Sequence, residues 1–212
     1  MFNDRADAGR RLSEKLRAAN IPRSAVVLGI PRGGVAVAAE VARELDLPLD
    51  VVASAKVGAP GNAEYAIGAV AADGEVYANP VSGFSAEDVR NFSGPALAKV
   101  RHSLAEFRAG MPPLDLEDRT AVVVDDGLAT GLTALAAVEY VRRAGAERVV
   151  LAVPVASLGS IHSLESSADE LVVVEVPPGF SAVGQFYRHF GQTEDAEVSA
   201  LLAQAAQRTL GS

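Results

Sequence analysis

The chain has 212 residues, 49% of them apolar and 22% charged, with a formal net charge of −8. It holds no Cys, which excludes a disulfide framework and a thiolate metal site. Its acidic balance argues against general binding to nucleic acid, because that needs a basic surface to displace counterions. The length suits a single domain, 1–212, with a core of its own. With 5% aromatics and no Trp, that core must be built from Val, Leu and Ala under covering helices, which suits α/β architecture. Neither a signal peptide nor a long apolar span is evident, so a cytoplasmic protein without membrane attachment is expected.

Phe2 to Leu16 carries early acids, later basic residues and helical apolar spacing, predicting a helix of about four turns. Ala25 to Ile30 reads as a buried strand, Pro31-Arg32-Gly33-Gly34 as a turn, and Val35 to Leu45 as an Ala/Val-rich helix. Leu49 to Ala53 reads as a second strand, so strand, helix and strand predict parallel pairing through a right-handed crossover. Lys56 to Tyr65 interrupts the pattern with turn formers and reads as a mobile loop. Ile67 to Ala72 and Glu75 to Ala78 flank Asp73-Gly74, the signal for a tight hairpin. Ser85, with Asp88 three residues on, opens a helix predicted to run to about Ala109, where Met111-Pro112-Pro113 ends it. The polar stretch Pro113 to Glu117 is the loosest point of the chain. Strands are then expected at Ala121 to Val124, Arg148 to Val153 and Leu171 to Val176, and helices at Leu132 to Ala144, Ser157 to Glu165 and Glu194 to Thr209. Pro177 to Thr193 is rich in Gly and aromatics. His102 and His162 lie on predicted helices and suggest no metal site.

The chemistry concentrates in Val122 to Thr133. Asp125 and Asp126 follow a buried apolar run, where carboxylates are costly unless solvated or paired. Ligands of open α/β sheets gather beyond the carboxyl ends of strands, where both acids would sit. Ala129-Thr130-Gly131-Leu132-Thr133 then opens a helix with Gly and hydroxyls, a pattern able to wrap a monoester phosphate through backbone N–H groups. No Walker lysine accompanies it. Pro31-Arg32-Gly33-Gly34 repeats the logic at another strand end, placing a guanidinium beside two residues without Cβ.

The segment from Val122 to Thr133 closely resembles the signature of type I phosphoribosyltransferases, and the resemblance extends over roughly residues 25 to 190. Pro31 to Gly34 resembles that family's pyrophosphate loop, Lys56 to Ala66 its flexible loop, and Phe180 to Phe190 its base-binding hood. Asn3 to Leu16, Lys56 to Asn62 and Ala182-Val183-Gly184 are similar to a bacterial branch of the family. The resemblance implies a Rossmann-like, mostly parallel sheet flanked by helices, with a flexible β-hairpin loop and a small C-terminal hood from about 177 to 193. It implies transfer of the 5-phosphoribosyl group from phosphoribosyl pyrophosphate to a nitrogenous base, with release of pyrophosphate.

Carried over by position, Asp125 and Asp126 would hold the ribose hydroxyls, Ala129 to Thr133 would cradle the 5-phosphate, and Gly127 and Leu128 would be further substrate-binding positions. Arg32, Gly33, Gly34 and Lys56 would take the pyrophosphate. Phe180 and Phe186 would face the base. Mg²⁺ would be held mainly through the substrate, with Asp125 and Asp126 as further candidates. The family's pyrophosphate loop often has a non-proline cis peptide, expected here at Arg32-Gly33. A Lys that purine-salvage members carry after the stretch Val149 to Val155 is absent, which leaves the acceptor base unassigned. A homodimer is left open.

Two rival functions use the same residues. A non-catalytic sensor would bind phosphoribosyl pyrophosphate or a nucleotide in this pocket, although Arg32 and an intact Lys56 to Tyr65 loop suit an enzyme better. A haloacid-dehalogenase-like phosphatase with Asp125 as nucleophile would want Asp-x-Asp in place of Asp-Asp.

Overall fold

The computed structural model describes residues 1–210. Asp4 caps α1 (Arg5–Ala18) by accepting from the Asp7 amide at 2.8 Å, and Lys15 and Arg17 lie in the last turn, where the helix carbonyls favour cations. The chain then runs through β1 (Val26–Gly29), α2 (Gly33–Leu45) and β2 (Leu49–Val51). Later come β6 (Thr120–Val124), α5 (Leu132–Arg143), β7 (Arg148–Val155), α6 (Leu158–Leu164) and β8 (Glu170–Glu175), and α7 (Asp195–Leu210) follows the hood.

Strands β1, β2, β6, β7 and β8 form one parallel sheet in the order β2-β1-β6-β7-β8. Alternate residues of each strand serve opposite faces. Val27, Val122, Val124 and Val150 pack with Leu12, Val41 and Leu202 of α1, α2 and α7, while Val26, Val123 and Leu151 pack with Ala137 and Val141 of α5. Burial on both faces explains why these strands read as unbroken apolar runs.

A second, antiparallel sheet has the order β3-β4-β5, from β3 (Ser54–Ala59), β4 (Asn62–Ala71) and β5 (Val76–Ala78). The Asp73-Gly74 turn joins β4 and β5 as expected, with Gly74 at φ 98°. The Lys56 to Tyr65 segment, which reads as an interruption, is itself the β3–β4 hairpin, closed by Pro60-Gly61. Asn62 to Tyr65 is exposed and the register shifts around Gly58, so backbone pairing holds this end of the hairpin and no apolar alternation announces it.

The long helix expected from Ser85 to Ala109 is two helices, α3 (Ala86–Phe92) and α4 (Gly94–Arg108). Ser85 and Asp88 make the reciprocal cap of α3. Pro95 lacks the N–H that would bond back to Asn91, so the chain restarts at its first turn. The Pro113 to Glu117 connector is anchored, because the Leu114 amide donates to Asp50 at 3.0 Å and Leu116 is buried. Among the described residues no helix is long and apolar enough to cross a membrane.

Candidate functional site

The sheet order reverses between β1 and β6: the chain leaves β1 toward β2 on one side and leaves β6 toward β7 on the other. Such a switch point opens a crevice beyond the carboxyl ends of the two strands. Gly29 pairs with Val124, and the Ile30 amide donates to the Val124 carbonyl at 2.8 Å. Pro31 to Gly34 and Asp125 to Thr133 therefore leave neighbouring strands at the same level, although some 90 residues separate them in the chain.

The two loops touch. A Cβ on Gly33 would lie 2.0 Å from Asp126 Oδ2, and one on Gly34 would lie 2.8 Å from Asp125 Cα and from the Val124 carbonyl oxygen. Both glycines thus serve the close approach of α2 to the acidic pair. The cis peptide precedes Arg32, at Pro31-Arg32, and not at Arg32-Gly33 as expected; Gly33 is already the first residue of α2, so the bend falls one peptide earlier.

Asp125 Oδ1 accepts from the Asp126 amide at 2.8 Å. Burial, and then the neighbouring Asp126 charge, push its carboxyl well above the ordinary aspartate range. Asp126 is also shifted upward by burial, against the opposing pull of Arg5, whose Nε and Nη2 each lie 2.9 Å from its Oδ2. The Tyr187 hydroxyl donates to the Asp126 carbonyl at 2.7 Å. Burial and the Asp126 charge both push that phenol upward, so it remains a neutral donor.

Gly127 and Leu128 are buried, Ala129 and Thr130 are exposed, and Gly131 adopts φ +75° at the amino end of α5. A Cβ on Gly127 would lie 2.6 Å from Val183 of the hood. The side chains of Leu128 and Leu132 belong to the core, so these two positions offer only backbone to a ligand. No side chain caps the amino end of α5. The first-turn amides therefore remain available to an anion. Ser157 fastens the loop from below: its hydroxyl donates to the Ala129 carbonyl at 2.8 Å and its amide to Leu128 at 2.9 Å.

Arg32 and Lys56 meet in a cavity of about 500 Å³ that Ser54, Lys99, Thr133 and Asp195 also line. Arg32 lies 3.8 Å from Asp195 in a solvent-exposed pair of little strength. Phe180 and Phe186 do not stand free; their ring centroids lie 5.2 Å apart and they pack with Phe2, Val155 and Tyr187 into the core of the hood. Among the described residues no cluster of three or more His, Cys, Asp and Glu is arranged to hold a metal. The acidic pair could supply part of a Mg²⁺ shell, and substrate oxygens and water the rest.

Sequence reading missed Arg5, Tyr187 and Lys99. Arg5 reads as an ordinary first-turn residue of a surface helix, and Lys99 as one more exposed position of a long one. The folded chain alone brings them to the crevice. Tyr187 was visible within the aromatic segment but not as a partner of the Asp126 backbone.

Residues 2–181 match the family model described as a phosphoribosyl transferase domain. Over 209 residues the chain is 43% identical to a Mycobacterium tuberculosis protein provisionally named a phosphoribosyl transferase, covering 97% of this chain and 47% of that protein. The chain thus spans about half the length of the curated relatives it matches. The crystal structure of the TT1426 protein from Thermus thermophilus is similar throughout, with a TM-score of 0.82, 41% identity, and coverage of 96% of this chain and 98% of that one. Because the matched stretch, residues 2–181, takes in both loops of the crevice, the chain belongs to the phosphoribosyl transferase domain family.

Proposed function

We propose that the protein transfers the 5-phosphoribosyl group of phosphoribosyl pyrophosphate to a nitrogenous base and releases pyrophosphate. The observation that carries this reading is the meeting of two loops at one switch point: the acidic pair with its amide-lined loop, and the Arg32-Gly33-Gly34 turn packed against it. In it, Asp125 and Asp126 accept hydrogen bonds from the ribose hydroxyls. The exposed Ala129-Thr130 stretch and the first turn of α5 receive the 5-phosphate, with the Thr130 and Thr133 hydroxyls as further donors. Arg32 and Lys56 take the diphosphate.

The bond between the anomeric carbon and the diphosphate oxygen breaks with its electron pair leaving on oxygen. A base nitrogen bonds to the same carbon from the opposite face and then gives up its proton. The sugar passes through a cation-like state, as in glycoside cleavage. Two carboxylates beside the ring favour that positive charge, and Arg32 and Lys56 favour the departing negative charge. Asp125 and Asp126 would help hold Mg²⁺ brought mainly with the substrate, and the ion would supply further neutralisation of the leaving group.

The reading is tested by screening nucleobases with phosphoribosyl pyrophosphate and Mg²⁺ while following pyrophosphate release. Base-dependent release is the expected result. Tight binding of phosphoribosyl pyrophosphate with no release for any base would make the protein a sensor and overturn the transferase reading.

A further inference from the structure

Arg5 is held more firmly than any surface ion pair requires. Its side chain is 13% exposed, both Nε and Nη2 lie 2.9 Å from Asp126 Oδ2, Nη1 donates to the Gly191 carbonyl at 2.7 Å, and the guanidinium carbon stands 4.1 Å from the centroid of the Phe190 ring. All three nitrogens are therefore engaged, and the flat group is sandwiched between the acidic loop and the end of the hood. Phe190 in turn packs against Tyr187, with centroids 4.9 Å apart, and Tyr187 donates to the Asp126 backbone. The pair also fills the space above Gly33, where a Cβ would lie 2.7 Å from Arg5 Nε as well as against Asp126. One glycine of the Arg-Gly-Gly turn is thus the floor on which this ion pair rests.

We propose that Arg5 is a positioning residue of the pentose site, fixing Asp126 by one carboxylate oxygen and tying that carboxylate to the hood. The proposal rests on the reading of Asp126 as an acceptor of ribose hydroxyls. Oδ2 is committed to the guanidinium, which fixes the direction in which the other oxygen, Oδ1, is presented to a hydroxyl. Arg5 also offsets part of the repulsion between the two adjacent carboxylates, so that both can act as acceptors side by side. Through Gly191 and Phe190, the end of the hood is mechanically continuous with the carboxylate read as holding the sugar.

The test is calorimetric titration of phosphoribosyl pyrophosphate, and separately of inorganic diphosphate, both with Mg²⁺, into the wild type, Arg5→Met, Arg5→Lys, Phe190→Leu, Asp126→Asn and the Arg5→Met/Asp126→Asn double variant. Arg5→Met is expected to weaken phosphoribosyl pyrophosphate binding about tenfold or more, the scale of a lost charged hydrogen bond, while diphosphate binding stays unchanged. Arg5→Lys should recover part of the loss, and Phe190→Leu should show a smaller loss of the same kind. In the Asp126→Asn background Arg5→Met should add little, because the two act as a unit. Equal losses in both backgrounds, or none in either, would make the pair a mere staple of α1 and overturn the proposal. If Arg5→Met unfolds, full wild-type affinity in both Arg5→Lys and Phe190→Leu would overturn it. Failure of the wild type to bind phosphoribosyl pyrophosphate would instead remove the pentose reading itself, and the role of Arg5 with it.

Discussion

A methyl group on Gly33 would meet the far end of the Asp126 side chain, whereas one on Gly34 would meet backbone at Asp125 and Val124. A carboxylate can rotate away; a strand end cannot. Gly33→Ala is therefore expected to keep its fold and lose binding of phosphoribosyl pyrophosphate, while Gly34→Ala loses stability as well, which thermal unfolding and titration of the two variants will separate. Asp125 gives the complementary case. Its folded-state pKa lies above the ordinary value because burial and Asp126 penalise the charged form. The native state then binds that proton more tightly than the unfolded chain, so its contribution to stability falls as pH rises from the ordinary aspartate range through the raised value. Asp125→Asn keeps an oxygen for the Asp126 amide and removes the charge. It should raise Tm at pH 7, by roughly 2–4 °C for each kcal/mol relieved, while abolishing binding of the sugar. A lower Tm would show that the carboxylate is stabilising where it stands.

At the level of elements, the loop from Gly127 to Gly131 owes its shape to what lies beneath it. Ser157 both caps α6, accepting from the Ser160 amide at 3.0 Å, and donates to the Ala129 carbonyl. Ser157→Ala should cost about 1 kcal/mol as a lost cap and raise KM for phosphoribosyl pyrophosphate more than that stability loss explains, measured by steady-state kinetics beside thermal unfolding. The sequence announced this loop because its chemistry is local: an apolar run, two acids, and Gly and Thr before a helix. It announced the parallel order for the same reason, since strand-helix-strand alternation admits few topologies. It did not announce the β3–β4 hairpin, whose exposed end from Asn62 to Tyr65 is held by backbone pairing that leaves no apolar period. The helix predicted from Ser85 to Ala109 runs straight across Pro95, whose missing N–H accompanies the break between α3 and α4. Arg5 was beyond reach of local reading, since its partner lies 121 residues away.

Across the whole molecule, a net charge of −8 coexists with a cavity lined by Arg32, Lys56 and Lys99, so the cationic character is local to the crevice. The wall that carries Lys99 is α4, and α4 is fixed to the sheet edge by a buried ion pair. Arg108 Nε and Nη2 each donate to Asp50 at 3.1 Å, and Nη2 also donates to the Val51 carbonyl at 3.0 Å. Asp50 is 6% exposed and accepts from the Val51 amide at 2.7 Å and the Leu114 amide at 3.0 Å, so one carboxylate joins β2, α4 and the connector leading to β6. Removing one partner leaves a buried charge with its desolvation cost and no compensating cation. Arg108→Ala is accordingly expected to lower the free energy of unfolding by about 3–5 kcal/mol, read from urea denaturation at pH 7. Replacing both groups with apolar residues, as in Asp50→Leu with Arg108→Met, removes the uncompensated charge and should recover much of that loss. A fall below about 1 kcal/mol in Arg108→Ala would mean that water already solvates Asp50, and that α4 is held against the sheet by its apolar face.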